Sequence, residues 1–330
     1  MIKKNILLVL MLFTSSTYAN ESVNRVSFVS AEPERNEITP RIIGGTVADI
    51  NDFKFYARLV ATDFESFYSH LCGATLLNEH YVLTAAHCVD VSMTGFEKES
   101  LSIVVNNPSF SGVRITELKQ VESIQIHPDY NPNNYDNDIA IVRLVSKITD
   151  DVEYITVPTD DDKLYYEQLA SMSVTGLGYI DKMESFPTTL LTTEVTLLSD
   201  SECDSLVYFY FGQEFVASNA LCVIPIAENG SCSGDSGGPL TYVGDDGKNK
   251  QAGLVSYGAE ECVKEGVPTV YTELHGYSNW IENTMNMIEE VKETEQVEVV
   301  DSSGGGGAVN HLFLFILLCS AILRRKLSRA

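Results

Sequence analysis

Gly234-Asp235-Ser236-Gly237-Gly238-Pro239 is the stretch on which the reading of this chain turns, because it sets one serine among glycines whose backbone can aim N–H groups at a reacting atom. A serine hydroxyl is a weak nucleophile near neutral pH. It becomes reactive when a base takes its proton and a third group orients that base. Working outward, the chain holds six histidines. The most suggestive setting is that of His87, in Leu83-Thr84-Ala85-Ala86-His87-Cys88. Asp138 heads the apolar run Ile139-Ala140-Ile141-Val142-Arg143-Leu144, where an acid entering a core needs a partner.

Chain order separates two chemistries. Gly234-x-Ser236-x-Gly238 also fits the nucleophile elbow of α/β-hydrolases, in which the acid and the histidine follow the serine. Here both precede it, and only His275 and His311 lie beyond Ser236. The order His, Asp, Ser, with the three motifs at this spacing, resembles the chymotrypsin/trypsin family of serine endopeptidases over residues 42–288. Arg41-Ile42-Ile43-Gly44-Gly45 resembles the activation site of that family, Gly176-Leu177-Gly178 a turn of its second barrel, and Ser256-Tyr257-Gly258 its substrate-binding strand.

Short apolar runs separated by Gly, Asn, Asp and Pro clusters point to an all-β sandwich or barrel. The resemblance implies two six-stranded antiparallel β-barrels with the active site between them and a changeover near residues 145–165. Residues 277–288, with Trp280, Ile281 and Met285 at three- and four-residue steps, predict a closing helix. Six cysteines in this span allow fifteen pairings. The resemblance implies Cys72 with Cys88, Cys203 with Cys222, and Cys232 with Cys262, leaving Cys319 in an apolar tail.

In the chemistry expected of such a site, Ser236 attacks the scissile carbonyl, His87 takes and returns the proton, and Asp138 holds the imidazole in the right tautomer. The N–H groups of Gly234 and Ser236 are the expected oxyanion hole. Ser256 supports Asp138 by analogy with the family. Cutting after Arg41 would free an α-amino group on Ile42 to pair with Asp235, since a buried carboxylate needs such a partner. The pocket implied by the resemblance comprises Gly230, Ser231, Ser256, Gly258 and Thr269. With Gly230 at its floor there is no acid to meet a substrate Arg or Lys, and the nearest pattern is elastase-like, with cleavage after small or medium apolar residues. Glu260 and Glu261 in the adjoining loop are the alternative, a source of basic specificity. A binding module that has lost activity, or an esterase on the same fold, are the competing functions. With no basic-specific pocket, a separate protease is expected to cut after Arg41.

The ends read differently. Residues 1–19, with Lys3, Lys4 and an apolar run closing on Thr17-Tyr18-Ala19, form a secretory signal peptide pattern, which makes disulfides permissible. Residues 20–41 read as a pro-segment. Residues 289–307 read as an acidic, disordered linker ending in Gly304–Gly307. An apolar stretch and a basic end follow over 308–330. That stretch is short for a hydrocarbon core of ~30 Å, and its basic end is expected on the cytoplasmic side of the inner membrane. Glycines, apolar helix and basic end resemble the GlyGly-CTERM sorting signal, which implies processing by a rhomboid-type protease and display on, or release from, a bacterial surface; a plain anchor is the alternative. The formal net charge of −24 excludes a nucleic-acid partner that would be held by a basic surface. No zinc spacing such as His-Glu-x-x-His occurs, so no metal or cofactor is expected in the chemistry.

Overall fold

A computed structural model of the chain describes residues 43–62, 68–107, 109, 117–169, 171–180, 185–213, 219–226, 229–259 and 262–301. The signal peptide and pro-segment patterns, Arg41, Ile42, Glu260, Glu261, Gly304–Gly307, the apolar tail and Cys319 lie outside the described residues.

Strands β1 (Thr46–Val47), β2 (Tyr56–Thr62), β3 (Tyr68–Leu76), β4 (Tyr81–Thr84), β5 (Leu101–Val105), β6 (Lys119–Ile126) and β7 (Ala140–Leu144) come first. Six of them close an antiparallel barrel in the order β2-β3-β4-β7-β6-β5. Its interior is packed by short aliphatic side chains such as Leu59, Leu76, Val82, Ile103, Val142 and Leu144, all at or near full burial. The second barrel is built from β8 (Met172–Gly176), β9 (Leu191–Leu197), β10 (Ala220–Pro225), β11 (Pro239–Val243), β12 (Asn249–Tyr257) and β13 (Thr269–Glu273). Pairing runs β9-β10-β13-β12-β11-β8, and β8 pairs back to β9. Val174, Val195, Leu240, Val255 and Tyr271 fill it. Closing each sheet leaves no edge for another chain to template. Two six-stranded antiparallel barrels and a C-terminal helix are thus the architecture that the resemblance implied.

Residues 145–171 carry the chain from one barrel to the other and include helix α2 (Asp160–Tyr166), which follows the short α1 (Val91–Thr94) in chain order. Helix α3 (Asp200–Phe211) starts with a capping box: the Ser199 N–H donates to the Glu202 carboxylate at 3.1 Å while the Glu202 N–H donates to Ser199 Oγ at 3.4 Å. It ends at Gly212 in the left-handed conformation, φ 67°.

Each end of the described chain straps onto the barrel built mainly from the other end. Strand β1 pairs with β9 of the second barrel. Helix α4 (Ser278–Asp301) lays Ile281, Trp280 and Ile288 against Tyr81, Leu83, Ile139 and Ile141 of the first. The helix runs on past residue 288 through Asp301, into the segment that reads as a linker from its composition. The physical reason is anchorage: Glu289 accepts from Tyr81 Oη at 2.7 Å and from Arg143 at 3.2 Å, and Lys292 bonds Glu122 at 2.6 Å. Composition shows the acids but not the buried arginine that meets them. Among the described residues no helix is long and apolar enough to cross a membrane.

Candidate active site

His87 sits in a single tight turn, Ala86–Cys88, directly after β4. Its Nδ1 lies 2.7 Å from Asp138 Oδ2, and its backbone N–H donates to Asp138 Oδ1 at 2.9 Å. A carboxylate accepts only, so Nδ1 carries a proton. The Asp138 carboxylate is fully buried. Ser256 Oγ donates to Oδ2 at 2.6 Å, and Thr272 Oγ1 donates to the Asp138 carbonyl at 2.9 Å. Ser256 can reach because the register of β12 against β13 shifts between Val255 and Tyr257, a bulge that re-aims one side chain. Asn137, at φ 55°, offers its Oδ1 to Tyr277 Oη at 3.0 Å and to Asn219 Nδ2 at 3.3 Å. Asp138, next to the first barrel, is therefore held by two hydroxyls of the second barrel, and two further groups, from Asn219 and Tyr277, hold its neighbour Asn137.

Ser236 lies in the turn before β11. Its carbonyl accepts from the Gly73 N–H of β3 at 2.8 Å, a bond between barrels. Gly234 has φ +96°, which a side chain would strain, and its carbonyl accepts from His70 Nε2 at 2.7 Å. Burial pushes the His70 imidazole down to about 4, so it stays neutral and donates through Nε2. Among the described residues, neither the Gly234 N–H nor the Ser236 N–H has an acceptor. Asp235 is fully buried between them in sequence but points inward, accepting from the N–H groups of Gly178 at 2.7 Å and Cys232 at 2.9 Å. Burial raises its carboxyl to about 6 against those two donors. The glycines of Gly176-Leu177-Gly178 are explained by this contact: a Cβ on Gly178 would lie 2.6 Å from Asp235 Cγ. Five residues ahead of Asp235, the Gly230 N–H donates to the Ile43 carbonyl at 3.3 Å.

Three disulfides, Cys72–Cys88, Cys203–Cys222 and Cys232–Cys262, follow the implied pairing. The first ties β3 to the turn carrying His87. Cys72, His87 and Cys88 lie close enough to suggest a metal site, but both sulfurs are consumed in the disulfide.

The trypsin family profile matches residues 42–281. This chain belongs to the trypsin family. It is similar to trypsin-1 of Astacus astacus, 33% identical over 245 residues that cover 73% of this chain and 98% of that one. It is 30% identical over 248 residues to transmembrane protease serine 11G of Rattus norvegicus, covering 75% of this chain and 56% of that one. It is also 30% identical over 260 residues to testisin of Homo sapiens, covering 76% and 80%. This trypsin-family protein is a serine endopeptidase, a hydrolase of peptide substrates. Its three disulfides suit an oxidising, extracellular setting.

His87 and Ser236 line one cavity of about 210 Å³, which Ser231, Ser256, Gly258 and Thr269 also border. Among its described lining residues there is no carboxylate and no Lys or Arg. Ser231 Oγ bonds Tyr271 Oη at 3.1 Å, and so is held by the wall. A Cβ on Gly258 would lie 3.3 Å from Thr269 Oγ1, which places the threonine directly across from it. Gly230 does not border the cavity: a Cβ there would meet Val263 Cγ2 at 3.2 Å. Its apolar surroundings carry no charge to offer. Sequence reasoning did not find His70, Tyr135, Asn137 or Thr272. No local pattern marks His70, Tyr135 or Thr272, whereas Asn137 adjoins Asp138 in sequence.

Proposed function

We propose that Ser236 is the nucleophile, His87 the general base and acid, and Asp138 the group that orients and stabilises the imidazolium. The observation that carries this reading is the 2.7 Å contact of His87 Nδ1 with a buried Asp138 on the rim of the cavity that holds Ser236. Ser236 Oγ adds to the scissile carbonyl as its proton passes to His87 Nε2. The oxyanion is met by the N–H groups of Gly234 and Ser236, which have no other acceptor among the described residues. Collapse expels the amine, protonated by His87, and water then cleaves the acyl-enzyme by the same route.

The protein is made as a zymogen, cut after Arg41 by another protease. Support comes from Asp235: a buried carboxyl whose only described partners are two backbone N–H groups is ready for an ammonium such as that of Ile42. Cleavage falls after small or medium apolar residues, because Thr269 narrows the cavity opposite Gly258 and no described charge lines it. Export through the N-terminal signal and sorting through the C-terminal tail, with processing at Gly304–Gly307, complete the proposal on the strength of their sequence patterns.

The test is a substrate-library profile of protein cut after Arg41, beside uncut protein and Ser236→Ala. Cleavage after Ala, Val or Leu by the cut form alone, and none by Ser236→Ala, is expected. Cleavage after Arg or Lys would transfer specificity to Glu260 or Glu261. Full activity of Ser236→Ala would overturn the triad.

A further inference from the structure

Helix α3 presents three consecutive aromatic residues to solvent: Tyr208 is 68% exposed, Phe209 75% and Tyr210 41%. Single exposed apolar side chains are ordinary, whereas a contiguous group marks a contact surface. The group is held rigid. Cys203 and Val207 are buried beneath it, the Cys203–Cys222 disulfide ties the helix to β10, and both helix ends are capped. The rings of Phe209 and Tyr210 meet edge to face at 4.9 Å. A helix already fixed in place loses little backbone entropy when a partner arrives.

This surface is continuous with the reaction site through a run of rings. Phe211, the last residue of α3, packs edge to face on Tyr257 at 5.5 Å. Tyr257 lies 5.5 Å from Tyr135, and Tyr135 lies 5.6 Å from His87. Tyr257 and Tyr135 both border the cavity that holds Ser236. A Cβ on Gly266 would lie 3.4 Å from Tyr210 Oη, so the helix end also touches the loop braced by Cys232–Cys262.

We propose that the outer face of α3 is an exosite for the protein substrate, taking an apolar or aromatic segment with a basic neighbour. This inference rests on the reading of Ser236 as the nucleophile. Charge selects the occupant. The helix carries Asp200, Glu202 and Asp204, all exposed, and no Lys or Arg. A second copy would bring the same acidic face to itself within a chain of net charge −24, and an anionic bilayer would be repelled likewise. A basic residue is attracted by those carboxylates and can sit over a tyrosine ring. A substrate already held in the cleft meets the exosite intramolecularly, so a weak contact suffices.

The experiment uses full-length protein cut after Arg41, its Tyr208→Ser/Phe209→Ser variant, and two peptides sharing one cleavage sequence. One peptide is short; the other is extended by a Phe-Leu-Arg-containing segment, placed in turn before and after the scissile bond. Extension is expected to raise kcat/KM of the parent protein by about tenfold, mainly through KM, on the scale of one modest contact. The variant should lose that gain while cleaving the short peptide as the parent does. Equal effects on both peptides, or none, would overturn the exosite, as would a variant whose only change is loss of self-association or of vesicle binding. Hydrolysis of the short peptide that survives Ser236→Ala would instead refute the nucleophile assignment. Binding of the fluorescent long peptide to Ser236→Ala, with and without the α3 substitutions, reads the exosite independently of turnover: equal affinity would overturn it.

Discussion

Thr269 is a single branched side chain at the mouth of β13, and its hydroxyl and methyl both face Gly258 across the cavity. Removing it as Thr269→Gly should open the pocket to larger apolar residues. The preference for Phe over Ala, read as a ratio of kcat/KM values, is expected to rise about tenfold, the range of one to two methylene-sized contacts. An unchanged ratio would mean that another wall sets the size limit. At this scale the sequence is uneven in what it discloses. His87, Asp138 and Ser236 stand out because each is a reactive or charged group placed inside an apolar or glycine-rich run. Thr272 and His70 do not, since a threonine or a histidine within a strand is common. Their meaning comes from bonds to Asp138 and Gly234, residues 134 and 164 positions away in the chain.

Helix α4 depends on Arg143 of β7, which is 4% exposed and meets Glu122, Glu289 and the Tyr81 ring. Taking away the arginine leaves acids facing a buried hole, whereas removing Glu289, whose side chain is 47% exposed, leaves Arg143 paired with Glu122. Arg143→Ala is therefore expected to cost on the order of 3 kcal/mol in urea unfolding, and Glu289→Ala under about 1 kcal/mol. Equal losses would show that α4 is held by Ile281 and Ile288 alone. The apolar steps of residues 277–288 were legible as a helix, but its continuation was not. An acidic stretch such as 289–301 reads as solvated until the counter-charge on another element is known.

For the whole molecule, the proposed pairing of Asp235 with a freed amino group would link processing to stability. In uncut protein its carboxyl is raised from 3.8 to about 6 by burial. The protonated form thus favours the fold at low pH, and that contribution is lost as pH rises through about 6. The loss is on the order of 3 kcal/mol for two pKa units. Cutting after Arg41 would supply an ammonium to offset it. The melting temperatures of cut and uncut protein should lie close together near pH 4 and separate above pH 6, with the cut form higher; a gap independent of pH would remove Asp235 from the activation chemistry. The sequence by itself determined the class of reaction, the barrel architecture through its resemblance, and the residues proposed to carry the chemistry. Chemical oddity within a local run survives without coordinates. Only the tertiary structure decided how the two barrels share one site, with Gly73 bonding Ser236 and Ser256 and Thr272 holding Asp138. It also decided that α4 runs on to Asp301 and that the rings of α3 lead toward the cavity. Those facts are contacts between distant segments, and a linear pattern carries no record of which distant side chain will fill a given space.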